Sequence, residues 1–132
     1  MTAYVLDASV AAKWFLPAAG EPYSKEANRL LRRYVQADAS FLVPDLFFAE
    51  FSNIFLKAER RGRCDAAGAD LATFPSSPLI HPAIQIARAY GRTVYDCVYV
   101  ALAIETGSEM VTADEKLANA LPGMPVLWLG LL

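Results

Sequence analysis

The sequence contains few of the residues that hold disulfide-rich domains or zinc sites together. Its 132 residues include two cysteines and one histidine. Cys64 and Cys97 are too few and too widely separated for either kind of framework, so we expect both to be buried, reduced thiols. His81 has no serine or cysteine at a recognisable catalytic spacing, and we assign it a structural role.

Long apolar segments are missing as well. The first apolar run is interrupted by Asp7 and lacks the preceding positive charges of a signal peptide, and no run approaches the roughly 20 apolar residues of a membrane span. We therefore expect a cytoplasmic protein that does not contact a membrane. With 55% hydrophobic and 20% charged residues, the composition is that of an ordinary globular protein. The length predicts a single domain over residues 1–132.

The excess of positive charge that is typical of nucleic-acid-binding domains is also absent. The formal net charge is −2. If four of the 14 acids bind a metal ion, however, the 12 basic residues outnumber the acids that remain. A mildly acidic total is then compatible with a phosphate-bearing substrate, provided that the negative charge is concentrated in one place.

Short apolar runs alternate with segments of helical periodicity along the chain. Runs typical of strands are Thr2–Leu6, Phe41–Val43, Leu79–His81, Glu109–Thr112 and Pro125–Trp128. Helical patterns are a brief stretch ended by Pro17, then Pro22–Val35, Asp45–Gly62, a weaker Cys64–Phe74, Pro82–Tyr90, Val94–Glu105 and Asp114–Leu121. The alternation, without repeats or a linker, predicts an α/β fold, a three-layer α/β/α sandwich with a mainly parallel central sheet.

Two acids follow predicted strands. Asp7 comes directly after the first strand, and Asp114 follows the strand Glu109–Thr112 by one residue. In open α/β sheets, ligands bind beyond the carboxyl ends of the strands, where the strand order reverses. If these strands are neighbours, the two carboxylates meet at that point. Each aspartate taken alone is more typical of a helix N-cap.

Asp96 and Glu50 lie on predicted helices. The segment Val94–Ile104 is apolar or aromatic on every face except for Asp96, which predicts a buried helix that carries a charge into the interior. Such a carboxylate needs a cation or a proton, unless it lies near the helix start, where the helix dipole stabilises an anion. Glu50 shares one side of its helix with Asn53 and Lys57, and alone it would be a solvated glutamate.

The four acids are more informative together. Carboxylates that lie close to one another repel, and their pKa values rise unless a divalent cation neutralises them. Oxygen donors without a usable Cys or His set indicate Mg²⁺ or Mn²⁺ rather than Zn²⁺. Ser9 and Thr112, two residues from Asp7 and Asp114, are placed to orient those carboxylates or a bound water. Ordinary turn and cap hydrogen bonds explain the two hydroxyls equally well.

Each acid lies in a recognisable motif. The motifs are VLDASV around Asp7, LFFAEFSN around Glu50 with Asn53, TVYDCVYVALA around Asp96 and MVTADEKL around Asp114. In this order, from residue 2 to about residue 128, the chain resembles the PIN-domain nucleases, and specifically the VapC-type toxins of toxin–antitoxin pairs. The resemblance implies a PIN-like, Mg²⁺- or Mn²⁺-dependent endoribonuclease that is held inactive by a cognate antitoxin and is commonly a homodimer.

The resemblance also assigns roles to residues. Metal ions held by Asp7, Asp96 and Asp114, with Glu50 as a ligand or water partner, would activate water for phosphodiester hydrolysis, and both one and two ions remain open. The residues expected to support the acids are Ser9, Asn53 and Thr112. Because carboxylates repel RNA, phosphate contacts must come from basic residues. The candidates are Lys13, Lys57, Arg60, Arg61, Arg92 and Lys116.

Three other functions stay open. An aspartyl-phosphate phosphatase also places an aspartate after its first strand, but its Asp-x-Asp motif requires an acid where this chain has Ser9. A receiver domain gathers acids at strand ends, yet it favours paired acids at the first strand and a lysine after a late strand. A PIN-like module that has lost activity and only binds a partner is disfavoured because all four acids are retained.

Overall fold

Five parallel strands in the described part of the chain form one sheet. The structure is a computed structural model that describes residues 2–16, 20–60 and 71–132 and, for Phe55 and residues 57–60, the backbone alone. The sheet has the order β3-β2-β1-β4-β5. Its strands are β1 (Thr2–Leu6), β2 (Ala39–Pro44), β3 (Ala72–Phe74), β4 (Glu109–Thr112) and β5 (Val126–Trp128).

The strands β1 and β4 are neighbours in the middle of the sheet. They pair in parallel with Leu6 beside Val111, and the Asp7 amide extends the ladder by donating to the Val111 carbonyl at 3.1 Å. The chain runs from β1 outward to β2 and β3 and then returns to β4 on the other side of β1. The strand order therefore reverses between β1 and β4, and the residues after both strands lie at the same edge.

Helices cover both faces of this sheet. Helix α5 packs across β1, β2 and β4, and α4 packs on α5, whereas α1 contacts α2 and α3. Every described strand pair is parallel, so the predicted three-layer α/β/α sandwich is confirmed. The helices in the described residues are α1 (Ala8–Phe15), α2 (Ser24–Val35), α3 (Leu46–Arg60), α4 (Ile80–Tyr90), α5 (Val94–Thr106) and α6 (Glu115–Ala120).

Helix α5 lies in the interior of the protein. Every residue from Cys97 to Ala103 is buried, as the apolar pattern predicts, whereas Val94, Tyr95 and Ile104 of the same predicted segment are exposed. Thr93 caps the start of this helix, and Gly107 follows its end with φ 64°, a left-handed conformation that glycine adopts without strain. Cys97 is a buried free thiol, whereas Cys64 lies outside the described residues. Within those residues, no helix combines the length and the apolar character that crossing a bilayer requires.

The predicted strand Leu79–His81 is wrong. Leu79 ends a short 3₁₀ turn, Ser77–Leu79, and α4 begins at Ile80. Pro78 stands in the first positions of the turn, and Pro82 falls in the first turn of α4, where a missing amide hydrogen costs no helical hydrogen bond. The two prolines on either side of Leu79–His81 therefore mark the start of a helix and not the limits of a strand.

The weak helix predicted over Cys64–Phe74 is wrong at its C-terminal end. Residues Ala72–Phe74 form β3, which pairs with β2 and places Thr73 beside Val43, while residues 64–70 lie outside the described part. Threonine and phenylalanine favour strands. The conformation of this segment is decided by its pairing with β2, a strand that lies too far away in the sequence to contribute to the local helical pattern.

Candidate active site

Asp7 lies in the turn between β1 and α1. It occupies the N-cap position of α1, with φ −71° and ψ 143°, but its side chain makes no capping hydrogen bond. Instead, Oδ2 accepts hydrogen bonds from Thr112 Oγ1 at 2.7 Å and from Ser9 Oγ at 2.8 Å. Oδ1 accepts no hydrogen bond from the residues that the structure describes. The helix-cap alternative therefore does not account for this carboxylate.

Backbone amides of the β4–α6 turn hold the two hydroxyls in place. Ala113 N donates to Ser9 Oγ at 3.2 Å, and Asp114 N donates to Thr112 Oγ1 at 3.1 Å. Each hydroxyl therefore accepts a hydrogen bond from the end of β4 and donates its own proton to Asp7. Ser9 and Thr112 both orient the Asp7 carboxylate, so Thr112 serves Asp7 and not the carboxylate of Asp114.

The surroundings of Asp7 favour its protonated form. Burial is the main cause that raises the pKa of Asp7 from its usual 3.8 to about 6, and the negative charges of Glu50 and Asp96 add to it. The hydrogen bonds from Thr112 and Ser9 stabilise the charged form and act in the opposite direction. The charges of Glu50 and Asp96 thus reach Asp7. The fold brings these three acids into one electrostatic neighbourhood.

Glu50, on α3, is half-buried and accepts a short hydrogen bond. The Tyr99 hydroxyl donates to Glu50 Oε1 at 2.5 Å. Burial raises the pKa of Tyr99 far above its usual range, and the hydrogen bond to Glu50 and the charges of Asp7 and Glu50 raise it further. Tyr99 therefore stays a proton donor. Sequence reasoning did not identify this residue, whose only signal was a hydroxyl in an otherwise apolar helix.

Asp96 is the third residue of α5. Its amide donates to Thr93 Oγ1 at 3.2 Å, so Thr93 caps the helix and the Asp96 carboxylate stands outside the cap. Asp96 still lies near the start of the helix, where the helix dipole stabilises an anion. This agrees with the alternative explanation, that Asp96 needs no cation because of its position in the helix. Its charge raises the pKa of Cys97 in addition to the larger effect of burial.

Asp114 is exposed and has a structural role as well as a predicted catalytic one. Its Oδ1 accepts a hydrogen bond from Leu117 N at 3.1 Å and caps α6, as expected of an isolated aspartate after a strand. The link to Asp7 runs through the Asp114 backbone amide and Thr112. Asp114 is not among the charges that raise the pKa of Asp7.

The acids do not form a ready-made metal cage. Within the described parts of the chain, no three Asp, Glu, His or Cys side chains are grouped closely enough to hold a metal ion. The donor chemistry nevertheless suits a hard divalent cation, because three carboxylates share a charged neighbourhood and one oxygen of Asp7 is free of hydrogen bonds from described residues. The site therefore supplies carboxylate oxygens suited to a divalent cation, but the described residues do not already form a coordination shell for it.

An open groove of about 530 Å³ lies beside Glu50. Asn53, predicted to support the acids, lines this groove and is exposed. Tyr95, which precedes Asp96, lines it too and is 64% exposed. The lining residues are Leu46, Ala49, Glu50, Ser52, Asn53, Leu56 and Tyr95.

The predicted RNA-contacting residues differ in their surroundings. Lys13 is buried and forms an ion pair with Glu21 at 2.8 Å, so in this structure its charge is engaged within the protein. Arg92 is half-buried, and its Nε has no hydrogen-bond partner among the described residues. Lys116 is exposed on α6. The side chains of Lys57 and Arg60, and all of Arg61, lie outside the described part.

Comparisons with known proteins agree with the observed fold and identify the protein family to which it corresponds. The family model described as PIN domain matches residues 4–120. Ribonuclease VapC3 of Pyrobaculum aerophilum is 32% identical over an alignment that covers 91% of this chain and 95% of that protein.

Solved structures show the same architecture at lower sequence identity. The crystal structure of PAE2754 from Pyrobaculum aerophilum matches with a TM-score of 0.64 and 22% identity, covering 98% of this chain and 92% of that one. A toxin–antitoxin complex from Klebsiella pneumoniae matches with a TM-score of 0.65 and 16% identity, covering 94% and 95%. These two likenesses concern the fold alone.

Proposed function

Because the chain belongs to the PIN domain family, and to the VapC proteins within it, we propose that it is a metal-dependent endoribonuclease and the toxin of a toxin–antitoxin pair. The relative from Pyrobaculum aerophilum, whose alignment covers more than nine tenths of each protein, is itself named a ribonuclease. The observation that carries the proposal is the Asp7 carboxylate at the end of β1, whose Oδ2 is held by Ser9 and Thr112 and which lies within reach of the charges of Glu50 and Asp96. A divalent cation stabilises such a concentration of negative charge.

The donor set fits Mg²⁺ or Mn²⁺. We assign the cation to Asp7, Asp96 and Asp114, with Glu50 as a further ligand or as the partner of a bound water. Mg²⁺ prefers oxygen ligands and keeps several of its waters, so it needs few protein carboxylates. The described residues hold no preassembled three-ligand group, so binding of one cation by all three aspartates requires their side chains to move together.

The proposed reaction is hydrolysis of an RNA phosphodiester bond by water, without a protein nucleophile. When bound, the cation lowers the pKa of a water molecule and stabilises charge on the scissile phosphate. Ser9 and Thr112 fix Oδ2 of Asp7, so Oδ1 would be the oxygen available to hold a cation. The Glu50 carboxylate orients the attacking water or accepts its proton.

The RNA chain needs positive charge near these acids. Arg92 and Lys116 are the described residues that we assign to phosphate contacts, because each lies within four residues of Asp96 or Asp114 in the sequence. We assign Lys57, Arg60 and Arg61 to the same role from the sequence alone. Binding through phosphates weakens as the salt concentration rises, so we expect cleavage to be sensitive to ionic strength.

A cognate antitoxin is the proposed regulatory partner. The structure from Klebsiella pneumoniae that shares this fold is a toxin–antitoxin complex. We propose that this chain acts in the cytoplasm, forms a homodimer and is inhibited by a protein encoded next to it. Co-expression of the chain with the product of a small adjacent reading frame, followed by purification, tests the partnership.

Cleavage of RNA by the purified chain tests the enzymatic proposal. We expect cleavage in Mg²⁺ or Mn²⁺, none in EDTA, and a loss of at least a hundredfold in the Asp7→Asn and Asp96→Asn variants, in line with roughly 2.7 kcal/mol or more of lost charge stabilisation. The exposed Asp38, which pairs with Arg33, provides the matched control, and Asp38→Asn should retain wild-type activity.

Two results would contradict the proposal. Cleavage that persists in EDTA, or that is unchanged in both site variants, removes the metal site from the mechanism. If the wild-type chain binds its antitoxin yet cleaves no RNA in Mg²⁺ or Mn²⁺, it is a binding module that keeps the fold of a nuclease.

A further inference from the structure

The hydrogen bond between Tyr99 and Glu50 joins two helices that carry predicted site residues. Tyr99 is 1% exposed in the middle of α5, three residues after Asp96, so both lie on the same side of that helix. Glu50 belongs to α3, 49 residues away in the sequence. The mechanism proposed above uses Asp96 and Glu50 but gives Tyr99 no part.

Packing alone does not explain the Tyr99 hydroxyl. A phenylalanine would fill the same interior space without carrying a polar atom into it, and a buried hydroxyl that lacks a partner costs free energy. In this protein the hydroxyl meets Glu50 Oε1 at 2.5 Å, a distance typical of a strong hydrogen bond to a charged oxygen. The hydroxyl is therefore directed at the carboxylate.

Glu50 would have reason to move without this contact. The negative charges of Glu50 and Asp7 repel each other, as the effect of Glu50 on the pKa of Asp7 shows. The open groove that Glu50 lines offers room for another rotamer, with Ser52 and Asn53 as its polar neighbours. A glutamate with flexible side-chain torsions would relieve the repulsion by turning into this groove.

We propose that Tyr99 is a positioning residue, whose hydroxyl fixes the Glu50 carboxylate of α3 against α5 so that the two helices present their acids to the same cation. This inference rests on the proposed function. The proposal assigns Tyr99 no contact with the cation or the RNA, and its action runs through the hydrogen bond to Glu50. Residues that orient a metal-binding group in this way affect metal affinity by about 10- to 100-fold in known sites.

The test compares Tyr99→Phe with Tyr4→Phe. Tyr4 is also buried, and its hydroxyl accepts a hydrogen bond from Arg33 at 2.8 Å, so its loss gives a similar structural perturbation. Isothermal titration calorimetry with Mn²⁺ measures metal affinity. We expect about tenfold weaker binding in Tyr99→Phe and unchanged binding in Tyr4→Phe.

A double-mutant cycle with Glu50→Ala separates positioning from general loosening of the fold. If Tyr99 acts through Glu50, adding Tyr99→Phe to Glu50→Ala causes no further loss of Mn²⁺ affinity. An affinity equal to that of Tyr4→Phe, or a Tyr99→Phe effect that persists in full without Glu50, overturns the proposal.

A crystal structure of Tyr99→Phe without metal completes the test. We expect the Glu50 carboxylate to turn into the groove, and an unchanged Glu50 position refutes the inference. This measurement does not depend on catalysis. If the wild-type chain binds no cation and cleaves no RNA, the proposed function fails, and the position of Glu50 in the variant still decides whether Tyr99 holds it.

Discussion

The two oxygens of Asp7 have different surroundings. Oδ2 accepts two hydroxyl protons, from Ser9 and Thr112, whereas Oδ1 accepts none from the described residues. The hydroxyls stabilise the charged carboxylate, but burial outweighs them and raises its pKa. The residue is therefore oriented for a ligand while its negative charge remains costly without one.

This cost predicts a pH dependence of stability. Because the pKa of Asp7 is about 6 in the folded protein and 3.8 unfolded, the folded state binds the proton more tightly, and its stability falls as the pH rises from about 4 to about 6. The shift of about two pKa units corresponds to at most about 3 kcal/mol. In EDTA, Asp7→Asn should therefore be more stable than the wild type at pH 7.5, by about 1–3 kcal/mol.

Urea denaturation at pH 4.5 and pH 7.5 measures this difference in the free energy of unfolding, which should be smaller at the lower pH. The exposed Asp38→Asn variant controls for loss of a carboxylate elsewhere and should show no such growth of the difference with pH. If Asp7→Asn gains no stability relative to the wild type as the pH rises, burial does not destabilise the charged Asp7.

At the scale of single elements, the helices that begin at the site differ in how they start. Helix α1 follows Asp7 without a side-chain cap, whereas Thr93 caps α5 and Asp114 caps α6. Neither the Asp7 nor the Asp96 carboxylate therefore caps a helix. Asp114 alone combines a cap with its predicted role as a metal ligand.

Two substitutions separate the two roles of Asp114. Asparagine caps a helix about as well as aspartate, so Asp114→Asn should change the free energy of unfolding by only a few tenths of a kcal/mol while it weakens Mn²⁺ binding and RNA cleavage. Asp114→Ala should lose the cap as well, at about 1 kcal/mol. Urea denaturation and calorimetry measure both effects.

If both variants keep wild-type cleavage, Asp114 serves only as a helix cap. Equal loss of stability in the two variants would instead show that the carboxylate charge, and not its capping hydrogen bond to Leu117 N, stabilises the start of α6.

At the scale of the whole molecule, the strand order places the acids at one edge of the sheet. Asp7 follows β1 and Asp114 follows β4, and the two strands are hydrogen-bonded neighbours. Helix α5 crosses β1, β2 and β4 and brings Asp96 to the same region. The folded state therefore concentrates negative charge that the unfolded chain keeps apart, and a cation should bind the folded state preferentially.

Preferential binding predicts thermal stabilisation by metal. At a Mg²⁺ or Mn²⁺ concentration of about 100 times the Kd, the folded state gains about 2.7 kcal/mol, which should raise the Tm by several degrees. Differential scanning calorimetry of the wild type and of the Asp7→Asn, Asp96→Asn double variant measures the shift, which the variant should lack. If sodium chloride at the same ionic strength raises the Tm by the same amount, the stabilisation comes from general charge screening and not from a specific metal site.

Much of the fold follows from local sequence patterns. The bounds of β1, Thr2–Leu6, and β4, Glu109–Thr112, are those of the predicted strands, because short apolar runs between turn residues carry their own signal. The burial of Cys97–Ala103 in α5 follows from the apolar composition of that part of the helix. The same patterns single out Asp7 and Asp96, since an acid directly after an apolar run or within an apolar helix is conspicuous.

Tertiary structure decided the contacts within the site and the local conformations that depend on distant partners. The hydrogen bond from Thr112 to Asp7 spans 105 residues, and that from Tyr99 to Glu50 spans 49. The local sequence indicates neither hydrogen bond, because a threonine in a strand or a tyrosine in a buried helix gives the same sequence pattern whichever distant residue its hydroxyl contacts. Residues Ala72–Phe74 likewise become β3 only by pairing with β2. Periodicity encodes which side of an element is buried, whereas register and helix packing determine which atoms meet there.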